Sequence, residues 1–208
     1  MNIILDKAGK RFNRDWVFRN FSFNFQQGEK YAIIGPNGSG KSTLLQVLCG
    51  SMNATEGSVQ FELNNRQLAL DEVYKYISMV APYLELIEEM TATEFLMFHS
   101  IFKKLILPVD EILVIIGLNQ TKSKQIRNFS SGMKQRIKLS QAIFSDSPVL
   151  LLDEPCTNLD APGYELYNRL INDYCGDKLV IVSSNDSNEY SFCEEKINIM
   201  NYKYVPAQ

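Results

Sequence analysis

Apolar and polar residues alternate without a break from Phe21 through Ser22, Phe23 and Asn24 to Phe25, a period of two that predicts a strand with one buried face. Gln26-Gln27-Gly28-Glu29 then reads as a turn, and Tyr31-Ala32-Ile33-Ile34 as a short strand apolar on both faces, suited to the centre of a parallel sheet. Leu44, Leu45, Val47 and Leu48 predict a helix that Gly50 can end. Alternation returns from Gly57 to Leu63, an antiparallel β segment. From about Pro82 to Phe129 the period becomes helical. Thr91-Ala92-Thr93-Glu94 has the form of a capping box, and Phe95, Phe98, Phe102 and Leu105 follow at steps of three and four, predicting a helix with a core-facing stripe. Pro108 breaks it, and Asp110 to Gly117 predicts a second, shorter helix. Val149–Leu152 and Leu179–Val182 are further runs fit for a doubly covered parallel sheet, and Ile197 to Met200 predicts a terminal strand. The order describes an α/β core interrupted by a helical insertion, with no internal repeat, low-complexity segment or linker.

Composition narrows the function classes. A chain of 208 residues can build one sizeable core, and a formal net charge of −3 lacks the basic footprint of a nucleic-acid binder. The longest apolar runs, Ile112–Ile116 and Val149–Leu152, fall far short of the roughly 20 residues that span a bilayer. The opening MNIILDKAGKRF mixes acidic and basic residues and does not read as a secretory signal. Cys49, Cys156, Cys175 and Cys193 are widely spaced, which suits reduced cytosolic thiols better than a disulfide framework or a zinc site.

The chemistry concentrates in residues 35 to 43, Gly35-Pro36-Asn37-Gly38-Ser39-Gly40-Lys41-Ser42-Thr43, directly after an apolar strand. A buried strand feeding a glycine-rich turn that opens a helix aims several backbone N–H groups and the positive end of the helix dipole at one point, a cradle for polyphosphate. Gly35, Gly38 and Gly40 permit close approach, Lys41 can reach the β- and γ-phosphates, and the Ser42 hydroxyl can ligate Mg²⁺. This motif alone implies a nucleotide, ATP or GTP. Downstream, VLLLDEP places Asp153 and Glu154 at the end of a buried strand, where open α/β sheets bind ligands. Asp153 is a candidate to organise Mg²⁺, and Glu154 to orient or deprotonate an attacking water.

Between these motifs lies Asn128-Phe129-Ser130-Ser131-Gly132-Met133-Lys134-Gln135-Arg136, which resembles the L-S-G-G-Q signature of ATP-binding cassette (ABC) ATPases. The succession of phosphate loop, helical insertion, signature, LLLDEP and Asn158-Leu159-Asp160 resembles that family over almost the whole chain. The resemblance implies a P-loop NTPase core of mostly parallel sheet flanked by helices. It adds an N-terminal antiparallel β subdomain and a helical insertion carrying the signature. One ABC ATPase domain is expected over 1–208, with core and β subdomain in 1–81 and 145–208 and the insertion and signature helix in about 82–144. It further implies an ATPase whose ATP, with Mg²⁺, is held between the phosphate loop of one copy and the signature of a second. Ser130 and the backbone N–H groups of Ser131 and Gly132 then face the γ-phosphate, and Asp160 lies on a loop at the dimer seam. By position Phe12 stacks on adenine, with Trp16 as the alternative. The expected partners are a second nucleotide-binding subunit, giving a homodimer, and a separately encoded transmembrane permease. That permease would hold the chain at the cytoplasmic face of the membrane, with Pro82-Tyr83-Leu84-Glu85-Leu86 at the contact or packed on the insertion's own core. The permease also selects the substrate, and a short cassette leans towards export by analogy.

Four positions depart from the family pattern. Ser131 replaces the first signature glycine and Met133 its glutamine; Gln135 faces another way on a helix. Ala81 stands where a glutamine usually reaches Mg²⁺ and the water, and Asn185 where a histidine usually contacts the γ-phosphate. The lone histidine, His99, falls in the predicted insertion helix, a polar or half-buried position rather than a catalytic one. Asn185 can donate a neutral hydrogen bond, and losing about 1.5 to 3 kcal/mol of charge assistance slows turnover roughly 10- to 150-fold. Slow turnover leaves a second reading, a nucleotide-gated interaction module with little hydrolysis, against which the intact Glu154 argues.

Overall fold

The computed structural model describes residues 1–203. Strand β1 (Asn2–Phe12) turns into β2 (Asp15–Phe25), and β3 (Lys30–Ile34) leads through the glycine-rich loop to helix α1 (Lys41–Leu48). Strands β4 (Glu56–Leu63) and β5 (Arg66–Gln67), the single turn α2 (Leu70–Val73) and strand β6 (Ile77–Val80) precede the insertion. Helices α3 (Ala92–Phe102), α4 (Val109–Ile115) and α5 (Ser131–Ile143) follow, then β7 (Val149–Asp153), α6 (Ala161–Tyr174), β8 (Leu179–Ser183) and β9 (Glu195–Asn198).

The strands sort into an antiparallel sheet of order β2-β1-β4-β5 and a parallel sheet of order β6-β7-β8-β3-β9. The strand period of two divides the parallel sheet's side chains between two cores. Ile33, Val149, Leu151, Leu179 and Ile181 join α1 and the antiparallel sheet on one face. Ala32, Leu150, Leu152, Val180 and Val182 join α5, α6 and the insertion on the other. Residues of α3 and α4, such as Leu96 and Ile112, belong to that second core, so the insertion has no separate interior.

The Thr91 hydroxyl accepts the Glu94 N–H while the Glu94 carboxylate accepts the Thr91 N–H, the reciprocal cap that the sequence predicts for α3. The stripe is corrected. Ala92, Phe95 and Leu96 are buried, whereas Phe98 is 39% exposed, Ile101 76% and Phe102 72%. The buried face is centred between Phe95 and Leu96 and takes in the half-buried His99, so Phe98 and Phe102 fall on its flank and stack edge to face at 5.2 Å. Leu105 lies beyond the helix, in an isolated bridge to Ser145. The last strand also shifts: it spans Glu195–Asn198, and Ile199–Tyr202 is a 3-10 turn that buries Ile199.

Candidate functional site

Parallel pairing makes β3, β6, β7 and β8 end on one side of the sheet, and the register sets Ser183 beside both Asp153 and Ile33. The chain leaves those ends as the 35–40 loop, as Ala81, as Glu154 and as Ser184-Asn185. This is the crevice at which open α/β sheets receive ligands. The loop reaches α1 at Gly40, whose φ of 98° suits glycine and where a Cβ would meet Val17 Cγ1 at 2.2 Å. No side chain caps α1, so its first N–H groups remain free to point into the loop. The Ser39 hydroxyl is buried without a hydrogen-bond partner. The Lys41 ammonium folds back on the loop, donating to the Gly35 carbonyl at 2.9 Å and the Pro36 carbonyl at 3.3 Å. A free helix terminus, an orphaned hydroxyl and a cation held only by neutral carbonyls form a cradle that suits an anion.

Asp153 is 2% exposed, and its Oδ1 accepts the Ser183 hydroxyl at 2.8 Å. Glu154 is half-buried with φ 46°; its N–H donates to the Ser183 carbonyl, and its own carbonyl accepts the Thr157 hydroxyl at 2.9 Å. Glu154 lines one cleft with Phe12, Val17, Asn37, Gly38 and Gly40–Thr43. Across the mouth, Asn185 Nδ2 donates to Asn37 Oδ1 at 3.1 Å. Phe12 borders the cleft with the Lys10 ammonium over its ring at 5.3 Å, and Trp16 carries the Arg11 and Arg19 guanidinium groups over its ring at 5.2 and 4.6 Å. The exposed Ser42 hydroxyl and the Asp153 carboxylate are hard oxygen donors of the kind Mg²⁺ prefers. Among the described residues no group of three or more His, Cys, Asp and Glu could hold a metal ion.

The signature lies elsewhere. Ser130 caps α5, accepting the Met133 N–H at 3.2 Å, and Ser131 and Gly132 form the first turn, where φ is negative and the serine's Cβ is tolerated. None of Ser130, Ser131 and Gly132 lines the cleft. Asp160 caps α6 through the Gly163 N–H at 3.0 Å and stands 3.8 Å from Arg136. Ala81 is 1% exposed; Tyr83 is exposed, whereas Leu86 joins the core that the insertion shares with the parallel sheet, so the segment 82–86 divides between the two alternatives. His99 pairs with the Ser145 hydroxyl at 2.8 Å, and burial followed by the Lys103 charge lowers its pKa, a structural role.

Sequence reasoning missed the residues that hold the acids. Ser183 fixes Asp153, Gln135 reaches the Pro155 carbonyl at 2.6 Å, and the buried Glu189 accepts the Cys156 N–H at 2.8 Å. The available signal was the strand end itself, since the residue opposite Asp153 in the parallel register is Ser183.

Comparison with known proteins agrees with this geometry. Residues 18–157 match the family described as ABC transporter. The uncharacterized ABC transporter ATP-binding protein YybJ of Bacillus subtilis (strain 168) is 32% identical over 190 residues, 89% of this chain and 86% of that protein. YxlF of the same organism, described in the same words, is 34% identical over 76% of this chain, which spans about half its length, 54%. Among solved structures, the ATP-binding cassette MJ0796, captured as a dimer in a post-hydrolysis state with ADP and Pi, aligns with a TM-score of 0.80. It is 27% identical over 95% of this chain and 94% of its own. By its motifs, its strand order and these relatives, the chain belongs to the ABC transporter family, among its ATP-binding proteins.

Proposed function

We propose that the chain binds Mg·ATP in the cleft of Phe12, residues 35–43 and Glu154, and that two copies close head to tail on two nucleotides. Hydrolysis then reopens the pair and drives a separately encoded transmembrane permease. As a family member the chain is an ATPase, the ATP-binding subunit of an ABC transporter. The observation that carries the two-copy reading is the separation of its halves: the phosphate cradle and Glu154 share one cleft, and Ser130–Gly132 do not reach it.

On binding, the Lys41 ammonium exchanges two neutral carbonyls for β- and γ-phosphate oxygens, a charge-assisted contact roughly twice as strong. The N–H groups of the loop and of α1 surround the same oxygens without reorganising at the moment of reaction. Ser42 and Asp153 would hold Mg²⁺, which supplies charge neutralisation on the β- and γ-phosphates. Glu154 orients the water and accepts its proton, while Asn185 donates one neutral hydrogen bond to the γ-phosphate. Phe12, which lines the cleft, offers its ring to adenine, whereas Trp16 is not among the residues lining it. From the second copy, Ser130 and the first N–H groups of its α5 complete the γ-phosphate's surroundings, with Asp160 at the seam.

The exposed apolar side chains of Tyr83, Met97, Phe98, Ile101 and Phe102 support docking of a cytoplasmic segment of the permease. No helix among the described residues is long and apolar enough to cross a membrane, so attachment to the membrane's cytoplasmic face depends on that partner. Steady-state ATPase of purified protein tests the reading, with Glu154→Gln alongside. Mg²⁺-dependent turnover that falls roughly 100-fold or more in the variant is expected. The absence of turnover in both proteins would instead make the chain a gate.

A further inference from the structure

The opening turns of α5 lie directly on the segment that follows Glu154. Gln135, 6% exposed, donates its Nε2 to the Pro155 carbonyl at 2.6 Å. Arg136 stands 3.8 Å from the Asp160 carboxylate, and a Cβ on Gly132 would come within 3.2 Å of the Asn158 carbonyl. The helix that presents the signature therefore touches residues 155, 158 and 160 of its own chain.

Glu154 occupies a left-handed backbone conformation, φ 46°, that a non-glycine residue keeps only where its neighbours enforce it. Its N–H is fixed to the Ser183 carbonyl and its carbonyl to the Thr157 N–H and hydroxyl. The Cys156 N–H is fixed to buried Glu189. The next carbonyl along, that of Pro155, is taken by Gln135, so this one amide joins the turn to α5. A buried amide with a strong bond to a constrained turn transmits displacement, because shifting either side leaves polar groups unpaired in the interior.

We propose that Gln135 is a positioning residue that makes the signature helix and the Glu154 turn move as one body. Engagement of Ser130–Gly132 by the nucleotide of the opposite copy thereby sets Glu154 on the chain's own nucleotide. This rests on the two-copy reading given above. Each subunit then senses occupancy of the far site and adjusts chemistry at the near one, through an amide that touches neither nucleotide.

Gln135→Met keeps side-chain length and burial and removes the donor. Its kcat is expected to fall about 10- to 100-fold, the cost of a misplaced base, with KM for ATP within about twofold of wild type. The Hill coefficient for ATP should drop from about two towards one. In a Glu154→Gln background, ATP should still give a dimer by light scattering, a readout that simple loss of folded protein would not spare. Should Gln135→Met melt below assay temperature, Gln135→Asn, which withdraws the amide by one methylene, carries the same test. Wild-type kcat and Hill coefficient in the folded variant would overturn the inference, as would a rise in KM that matches the fall in kcat/KM. If Glu154→Gln with Gln135 intact stays monomeric in ATP, the two-copy reading fails and this inference falls with it.

Discussion

At the cleft, the N-terminus of α1 faces a loop enclosed by Phe12 and Val17 from the antiparallel sheet, Glu154 from the end of β7 and Asn185 from the end of β8. At the signature, the N-terminus of α5 has its own Ser130 cap, and its first residues are exposed or half-buried. Both termini carry unpaired N–H groups and the positive end of a dipole. The difference is that the first is surrounded by the Lys41 ammonium, the orphaned Ser39 hydroxyl and the Glu154 carboxylate, while the second has only its own serine cap. A cleft and a donor surface that stand apart within one subunit are what the proposed pairing of two copies would bring together.

The sharpest way to break the comparison is to empty the cradle. Lys41→Ala removes the only ammonium in the cleft lining, and ATP-induced stabilisation in a thermal melt should vanish together with turnover, a loss of at least roughly 100-fold in kcat/KM. Wild-type ATP binding in that variant would remove the cradle from the account. Next in size is Asn185→His. Turnover should rise by up to roughly 150-fold at pH below about 6.5, as imidazolium replaces a neutral amide. The gain should fade as pH rises through that value, a limb that the wild-type profile lacks because the lone histidine, His99, is bound to Ser145. An unchanged rate at pH 6 would show that Asn185 does not face the γ-phosphate.

The last effect bears on stability alone and lies away from both regions. Burial pushes Lys103 down to about 8 where it donates to the Ile77 carbonyl. The unfolded lysine, with its ordinary pKa near 10.4, binds more protons than the folded one between these values. Its contribution to stability therefore rises with pH across the window from about 8 to 10.4. Relative to Lys103→Met, the wild-type protein should gain up to about 3 kcal/mol between pH 8 and pH 10.4 in paired denaturant titrations. A constant gap would mean that the lysine is solvated.

The phosphate loop, the acids and the capped start of α3 were legible because their chemistry depends on neighbours a few residues apart. What escaped depends on distance along the chain or on rotation about a helix. The Asn185–Asn37 bond joins residues 148 positions apart and leaves no local pattern. Helical spacing linked Phe95, Phe98 and Phe102 correctly, but only packing on the core decides which flank is covered, and two of the three lie outside it. Helix α6 went unread although Asp160 caps it and Leu166, Tyr167, Leu170 and Ile171 bury one face. Gln135 points away from the signature face, and that inward direction, which no local pattern shows, is what brings it to Pro155.

The two-copy claim is tested most directly by light scattering of Glu154→Gln in Mg·ATP, beside the same protein carrying Ser130→Arg. The account predicts a dimer in the first and a monomer in the second, with ATP still bound to both. A dimer that persists with arginine at position 130, or a monomer that binds ATP tightly without pairing, would contradict it.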